Sequence, residues 1–385
     1  MFGLSASEID DAGATWTVRE VLQQPDIWAE VERLVADEAQ PLSEFLNPIL
    51  AHPHARIVLT GAGTSAYIGD CLAPALAGLG KRVDAIPTTD LVSGPQSYLS
   101  PDVPTLLVSF GRSGNSPESV AAVRLADACI KDCAHLIITC DAAGALAQCA
   151  RTHPRARVFM LPPRSNDRSF AMTSSFTGML LAGSLILGAV RGASSRNLEL
   201  ERAAARVLPE RVPLLQELVN SSFDRVVYLG SKELKGLARE AALKMLELTD
   251  GKVVAVADSP LGFRHGPKTI LNASTLVVLF ASNDQYTRQY DRDLVGELRR
   301  DGVAGRVITL AARPLDGHPQ DDIGLAAGNA ELSDLELCLP YAVFAQSIAL
   351  LRSLSLGRRP DNPNAAGTVS RVVKGVSIHP WRGSA

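Results

Sequence analysis

Residues 105–120 combine a strand, a loop and a helix start in a pattern that can bind an anion. The residues from Thr105 to Ser109 are apolar or β-prone, which predicts a buried strand. Gly111 and Gly114 then mark a loop. We expect this loop to bring several backbone N–H groups together at the end of the strand.

Polar side chains in the same loop add further hydrogen-bond donors. Ser116 is placed to N-cap a helix whose first residue is Pro117, and Arg112 and Ser113 come just before it. A helix N-terminus also carries a partial positive charge, which favours anions. We therefore predict a cradle for a phosphate ester, with an ordinary strand-to-helix turn as the alternative interpretation.

A second glycine loop allows two interpretations. Gly61, Gly63 and Ala66 match the dinucleotide fingerprint G-x-G-x-x-G/A, and Asp84 follows at about the expected distance. However, Asp84 lies inside the next candidate strand and not at its carboxyl end. The loop also continues into two hydroxyl residues, Thr64 and Ser65. Two adjacent hydroxyl-rich loops suit one sugar phosphate better than a pyrophosphate, so we favour a sugar phosphate over a nicotinamide cofactor.

Composition indicates a globular chain and argues against several kinds of partner. The 385 residues are 46% hydrophobic, which is enough for two domains of ordinary size. The net charge is −3 and no basic run is present, so nucleic acid is not an expected partner. The N-terminal residues do not resemble a secretory signal, and the apolar run 178–190 is too short to span a bilayer. We expect a cytoplasmic protein that does not insert into membranes.

The cysteines do not form a metal-binding or disulfide pattern. The chain has 6 cysteines, mostly within helical or strand patterns and without a paired C-x-x-C array. We predict a reduced protein without a structural metal, and no cofactor is expected.

Strands and helices alternate along most of the chain, which predicts an α/β fold with doubly wound parallel sheets. An N-terminal helical arm is expected over residues 1–50, where Thr17 to Glu20 reads as a capping box. The first α/β region, 51–208, has candidate strands at 56–60, 82–86, 105–109, 135–139 and 157–161, and it ends in a charged helix at 197–208.

A second region of the same kind is expected over residues 209–357. Its candidate strands are 225–229, 252–257, 275–281 and 306–310, and its candidate helices are 232–248, 287–300 and 340–356. Both regions begin with a strand, a glycine and a helix, which suggests an internal duplication. The tail, 358–385, is rich in Pro, Asn and Gly, and it either frays or closes over another part of the molecule.

These loops resemble the sugar isomerase (SIS) domain. The similarity rests on Gly63-Thr-Ser65 and Arg112-Ser-Gly-Asn-Ser116, and Leu261 to Pro267 is similar to the His-Gly-Pro segment in the isomerase half of glucosamine-6-phosphate synthase. Over nearly its whole length the chain resembles the bacterial D-galactosamine-6-phosphate deaminase/isomerase family, also labelled tagatose-6-phosphate ketose/aldose isomerases. Further shared stretches are 23–25, 60–67, 110–119, 166–173, 260–268 and 359–363.

The resemblance implies two tandem SIS subdomains, each a doubly wound sheet, in a homodimer with sites near the interface. It places the substrate phosphate on Ser65, Ser113 and Ser116. The neighbouring substrate-binding residues are Gly63, Thr64, Arg112 and Gly114. Arg112 stands where the synthase has a glutamine. The chain carries no glutaminase domain, which favours ammonia release over ammonia incorporation.

The resemblance also implies three catalytic residues. Glu247 would move a proton between sugar carbons, and His265 would open the ring in its own or the neighbouring subunit's site. Lys374 corresponds to a lysine in the synthase tail, and Arg371 is an equally good candidate for that contact. The alternative interpretations are a solvated helix face for Glu247, a surface loop for His265 and a surface tail for Lys374.

The reaction that these residues imply is a deaminating isomerisation. We expect conversion of D-galactosamine 6-phosphate to tagatose 6-phosphate and ammonia, a hydrolytic step in amino-sugar metabolism. The alternatives are a glucosamine-6-phosphate deaminase, a plain phosphosugar ketose/aldose isomerase, and a non-catalytic phosphosugar sensor. The choice of epimer depends on a few hydrogen bonds that sequence does not place.

Overall fold

The computed structural model describes most of the chain. The described residues are 2–188, 202, 205, 212–312, 315, 321–325, 331–373 and 375–382. The predicted helix at 197–208 and the predicted boundary at 208/209 therefore lie outside the described residues, apart from positions 202 and 205.

The N-terminal residues are helical, as predicted. The helices are Ala6–Asp11, Thr15–Leu22, Gln24–Asp37 and Ala39–Leu50. The predicted capping box at Thr17 is wrong, because the helix begins at Thr15 and its N-cap is Ala14. Thr17 and Glu20 instead bind distant segments: Thr17 Oγ1 donates to Asp361 Oδ1 at 2.7 Å, and Glu20 accepts the Arg168 N–H at 2.5 Å.

A five-stranded parallel sheet follows, in the order β2-β1-β3-β4-β5. Its strands are β1 (Arg56–Thr60), β2 (Arg82–Ala85), β3 (Thr105–Gly111), β4 (Cys133–Thr139) and β5 (Ala156–Met160). All five strands were predicted, and β1, β3 and β4 are buried along their whole length. Continuous apolar runs of this kind are typical of parallel strands covered on both faces.

Helices alternate with the strands of this first sheet. They are Thr64–Leu76, Thr88–Ser93, Pro95–Tyr98, Pro117–Cys129, Ala145–Arg151 and Ser174–Ile186, with short 3-10 turns at Ala77–Leu79 and Pro163–Ser165. On one face of the sheet, Val58, Leu107 and Ile137 pack in one core cluster with Ala122 and Ala126 of helix Pro117–Cys129.

The second sheet has the same strand order, β7-β6-β8-β9-β10, and is also parallel. Its strands are β6 (Arg225–Leu229), β7 (Val254–Asp258), β8 (Thr275–Phe280), β9 (Arg306–Ala311) and β10 (Asp322–Gly324). The sequence predicted four of these strands and missed the short edge strand β10. The chain thus folds as two α/β subdomains, each with a doubly wound sheet.

The helices of the second region are Val212–Asn220, Glu233–Leu248, Pro260–Phe263, Thr287–Asp301 and Asp334–Ser355, with a 3-10 turn at Pro267–Ile270. Asp334–Ser355 begins earlier than predicted, because Ser333 and Glu336 form a capping box in front of Pro340. Of the described helices, this one is long and apolar enough to cross a membrane, yet 89% of its most apolar window is buried in the protein. It is a core helix.

Residue contacts divide the chain into two interleaved units. The first sheet belongs to a unit of residues 27–167, 174–191 and 367–385, and the second sheet to a unit of residues 1–26, 168–173 and 192–366. Each unit therefore draws on segments that are far apart in the sequence.

Candidate active site

The loop after β1 turns sharply into helix Thr64–Leu76. Gly61 has no room for a Cβ atom, which would lie 2.6 Å from the Ser65 backbone, and Gly63 has φ +56°, a conformation that other residues rarely adopt. This turn places Thr64 and Ser65 in the first turn of the helix, where both are buried. The sequence predicted the glycine turn correctly, but it placed Thr64 and Ser65 in the loop, and the helix begins two residues earlier than predicted.

The loop after β3 holds the other predicted hydroxyls. Gly114 has φ +62°, and a Cβ there would lie 3.0 Å from Leu146. Ser113 Oγ accepts the Asn115 N–H at 3.3 Å. Ser116 N-caps helix Pro117–Cys129, with its Oγ accepting the Ser119 N–H at 3.2 Å, as the sequence predicted.

The two loops lie at one edge of the first sheet. β1 and β3 are parallel neighbours, with Thr60 opposite Ser109, so the residues that follow them emerge side by side. In a sheet of this strand order, the chain reverses its direction of winding between these two strands, and ligands bind in the crevice there. The first turn of helix Thr64–Leu76 carries Thr64 and Ser65, and the loop after β3 carries Ser113 and Ser116. Both segments border this crevice.

Arg112 binds the C-terminal tail. Its buried guanidinium donates through Nη2 to the Arg371 carbonyl at 2.9 Å. Arg371 in turn donates through its own Nη2 to the carbonyl of Asp167. Lys374 lies outside the described residues, so among the two predicted tail contacts the structure describes only Arg371.

The tail continues beside the helix that Ser116 caps. Ile378 and Trp381 line a groove together with Pro117, Val120 and Ala121 of that helix. The tail thus contacts Arg112 at one end of the Ser113–Ser116 loop and helix Pro117–Cys129 at the other end. The sequence left two alternatives for the tail, and these contacts of Arg371, Ile378 and Trp381 favour closure over fraying.

Asp167 has a structural role that the sequence did not reveal. Its fully buried carboxylate accepts the Ser174 N–H at 3.1 Å and the Ser175 N–H at 2.9 Å. These are N–H groups at the start of helix Ser174–Ile186, which has no partners for them within the helix. Asp167 therefore caps this helix through its side chain, while its carbonyl receives Arg371.

Glu247 lies in the last turn of helix Glu233–Leu248, on a face that is largely buried. Its side chain is 24% exposed and forms an ion pair with Lys244. Lys244 is 1% exposed and lies 3.4 Å from Glu240, which is 2% exposed. The solvated-face interpretation is therefore wrong for Glu240 and Lys244. The burial of Glu240 and Lys244 could not be predicted from the sequence, because charged residues at i, i+4 spacing are also typical of exposed helix faces.

His265 is exposed on a short loop between Pro260–Phe263 and the 3-10 turn Pro267–Ile270. Gly266, which follows it, has φ +115°. The flanking residues are tied to helix Thr287–Asp301: Arg264 Nε lies 2.9 Å from Glu297 Oε2, and Lys268 pairs with Glu297 and Asp301. The loop backbone is thus fixed on both sides of an imidazole that faces solvent.

The crevice of the second sheet has a similar backbone turn, but different side chains surround it. Gly230, after β6, has no room for a Cβ, and Lys232 N-caps the next helix with φ 53° and ψ −122°, close to the 56° and −128° of Gly63. After β8, Ser282 Oγ donates to Asp334 Oδ2 at 2.5 Å, and the Asn283 N–H donates to Asp334 Oδ1 at 2.7 Å.

A second carboxylate lies beside Asp334 in this crevice. Asp291 is fully buried and accepts the Ser282 N–H at 2.9 Å. Burial raises the pKa of Asp291 to about 6, and the neighbouring Asp334 acts in the same direction. Burial also raises the pKa of Glu233. The donors that could bind an external anion here are bound to carboxylates of the chain itself.

Asp127, His135 and His153 form the one cluster among the described residues with a spacing that could hold a metal ion. Asp127 Oδ1 lies 2.7 Å from His135 Nε2 and 3.3 Å from His153 Nε2. However, His153 Nδ1 accepts the Arg155 N–H at 3.2 Å, so in the neutral ring the proton is on Nε2. A proton on that nitrogen suits a hydrogen bond to Asp127 and not a metal. We therefore assign the cluster to hydrogen bonding within the first subdomain.

Comparisons with known proteins agree with this architecture. Residues 49–189 match the family model of the SIS domain. The D-galactosamine-6-phosphate deaminase AgaS of Escherichia coli is 47% identical over 374 residues, which cover 96% of this chain and 97% of that protein. The protein of the same name from Shewanella sp. strain ANA-3 is 44% identical, with 98% and 95% covered.

A solved structure shows the same fold along the whole chain. The tagatose-6-phosphate ketose/aldose isomerase of Escherichia coli superposes with a TM-score of 0.89, at 44% identity and with 99% of each chain covered. Identity at this level over nearly the full length of both chains is shared by members of one family. The chain therefore belongs to the family of SIS-domain enzymes that are named D-galactosamine-6-phosphate deaminases or tagatose-6-phosphate ketose/aldose isomerases.

Proposed function

We propose that this chain is a deaminating aldose–ketose isomerase that converts D-galactosamine 6-phosphate and water to tagatose 6-phosphate and ammonia. The observation that carries the proposal is the pair of hydroxyl-rich loops at the β1/β3 crevice, in a chain 47% identical to a D-galactosamine-6-phosphate deaminase. The first subdomain supplies the phosphate site, and the second supplies the residues for proton transfer.

The substrate phosphate is held by hydrogen bonds to Ser65, Ser113 and Ser116, with Thr64 and the backbone of Gly63 and Gly114 beside them. The N-termini of helices Thr64–Leu76 and Pro117–Cys129 add their partial positive charge. Because the phosphate is remote from C1 and C2, its binding energy serves to orient the reacting carbons. Arg112 contributes charge and anchors the tail that carries Lys374.

Proton transfers at C1, C2 and the ring oxygen complete the reaction. His265 opens the pyranose by taking the proton of the C1 hydroxyl and giving a proton to the ring oxygen. Glu247 takes the C2 proton and returns it at C1, while one proton passes from the nitrogen to O1, so the amino aldose becomes a C2 imine with a C1 hydroxyl. Water then adds to the imine carbon, and the C–N bond breaks to release ammonia and leave the ketone. The Lys244 ammonium forms an ion pair with the Glu247 carboxylate and lies beside it at this position.

Parallel assays of ammonia release test this assignment. We expect ammonia from galactosamine 6-phosphate and none from glucosamine 6-phosphate at the same enzyme concentration. The name of the Escherichia coli structure favours a second candidate, the plain isomerisation of tagatose 6-phosphate. Isomerisation without ammonia from either amino sugar would establish that candidate, and tight binding without turnover would indicate a sensor.

Assembly, organisation and location extend the same proposal. We infer a cytoplasmic homodimer with sites near the interface, and two tandem subdomains at 51–208 and 209–357 that arose by duplication. The shared strand order of the two sheets supports the duplication. Light scattering of the purified chain should give twice the mass of 40.9 kDa, and a monomeric mass that keeps full activity would contradict the dimer.

A further inference from the structure

One carboxylate of a neighbouring helix binds the loop that carries His265 on both sides of the histidine. Glu297 lies on helix Thr287–Asp301 and uses both of its oxygens. Oε2 lies 2.9 Å from Nε of Arg264, the residue before His265. Oε1 pairs with Nζ of Lys268, three residues after His265. The two ion pairs therefore hold the segment on both sides of the histidine.

His265 itself has little else to fix its position. Its side chain is exposed, and its backbone N–H donates to the Gly262 carbonyl at 2.9 Å. Gly266 next to it adopts φ +115°, which leaves the backbone free to take other conformations. The direction of the imidazole thus depends on how the flanking residues are held, and Glu297 is the group that holds both of them.

We propose that Glu297 is a positioning residue that orients the ring-opening histidine through Arg264 and Lys268. This inference rests on the proposed function of His265. Small displacements of a catalytic group cost large factors in rate, because the reacting atoms must be closely aligned. Glu297 belongs to the second subdomain, whereas the phosphate loops belong to the first, so we expect its loss to change kcat more than KM.

The two flanks of the His265 loop differ in the number of carboxylates that bind them. Lys268 also pairs with Asp301, one turn further along the same helix, whereas the described partner of Arg264 is Glu297. Loss of Asp301 therefore leaves both ion pairs of Glu297 in place, whereas loss of Glu297 removes the described ion-pair partner of the Arg264 side chain. Loss of Glu297 should therefore disturb the His265 loop more than loss of Asp301 does.

A double-mutant cycle with His265 tests the proposal. We expect Glu297→Gln to lower kcat for galactosamine 6-phosphate by about tenfold with KM changed less than about twofold. Glu297→Asp, which keeps the charge, should recover part of the rate. In the His265→Ala background, Glu297→Gln should have almost no further effect, because a residue that acts only through His265 has nothing left to position.

Two control variants distinguish this role from a general effect of removing a charge from the helix. Asp293→Asn, at an exposed position on the same helix, should leave kcat unchanged, and Asp301→Asn should lower it less than Glu297→Gln. An equal loss of activity from Glu297→Gln in both backgrounds would contradict the positioning role. An unchanged kcat in Glu297→Gln, when His265→Ala abolishes activity, would contradict it as well. If His265→Ala itself keeps full activity, the proposed role of His265 fails instead.

Discussion

The two sheets place the same backbone turn at equivalent positions, and the side chains around each turn differ. At the β1/β3 crevice the loops carry Thr64, Ser65, Ser113 and Ser116. At the β6/β8 crevice the register places Asn283 where Ser113 stands in the first sheet, and the donors there are bound to Asp334 and Asp291. One crevice carries the hydroxyls that we propose bind a phosphate. In the other crevice, carboxylates of the chain itself accept the hydrogen bonds that an external anion would accept.

This difference shows how one fold serves two purposes in a single chain. The positive end of a helix and the convergent N–H groups of a crevice come from the backbone, so both subdomains have them. The side chains decide whether these groups bind a substrate or stabilise the subdomain. In the reaction that we propose, the second subdomain contributes Glu247 and His265, which lie outside its own crevice.

Removal of the Glu247 carboxylate tests whether the second subdomain supplies the proton-transfer chemistry. We expect Glu247→Gln to lower kcat by about 10²- to 10⁴-fold with little change in KM, because general acid–base catalysis contributes on this scale. Steady-state kinetics on galactosamine 6-phosphate measure both constants. Glu217→Gln, at a largely exposed position in the same unit, is the matched control. Near-normal turnover by a folded Glu247→Gln protein would refute the proton-transfer role.

Removal of the internal anion from the second crevice should turn it into an anion site. Asp334→Ala leaves the Ser282 hydroxyl and the Asn283 N–H without their acceptor, which should cost about 3 kcal/mol of stability. Inorganic phosphate should restore part of the melting temperature, beyond its effect on the parent chain. Asp322→Ala, which removes a buried acceptor on β10, should be destabilised without this extra recovery. Equal phosphate shifts in both variants would contradict the comparison.

The buried Asp291 should make the second crevice sensitive to pH. Its pKa is raised to about 6 from 3.8, so the folded protein binds this proton more tightly than the unfolded chain does. The stability from protonation is fully present below about pH 4 and is lost as the pH rises through about 6, a change of about 3 kcal/mol.

Urea unfolding of the parent chain and Asp291→Asn across pH 4 to 7 isolates this contribution. The amide does not titrate, so the variant should lack the decline in unfolding free energy, while other carboxyl groups contribute equally to both proteins. Parallel pH profiles for the two proteins would show that Asp291 titrates normally.

One serine from each crevice should respond differently to replacement by alanine. Ser113→Ala removes a donor to the substrate phosphate, and a hydrogen bond to a charged group contributes about 1.5–3 kcal/mol. We expect kcat/KM to fall roughly 10- to 100-fold, mainly through KM. Ser282→Ala should leave KM unchanged and lower the melting temperature. If the two variants change KM equally, the assignment of the phosphate to the first crevice is wrong.

Short stretches of the sequence predicted the features that depend on interactions between neighbouring residues. The buried strands, the glycine turns and the Ser116 cap all follow from residues close together in the sequence. Contacts between distant segments were not predictable in this way. Glu20 reads as the end of a capping box, yet it accepts the N–H of Arg168, which lies 148 residues away. Likewise, only tertiary packing makes Glu240 and Lys244 buried, since their spacing alone also suits a surface helix.

The interleaved units have a consequence for synthesis of the chain. The unit that contains the first sheet includes residues 367–385, so it lacks part of its structure until they leave the ribosome. At about 5–20 residues per second, residue 367 follows residue 191 by roughly 10–35 seconds. During this delay the hydroxyl loops already exist while Arg371, which Arg112 will contact, does not. A nascent chain stalled before residue 367 should therefore be more sensitive to protease at the Arg112 loop than the released chain.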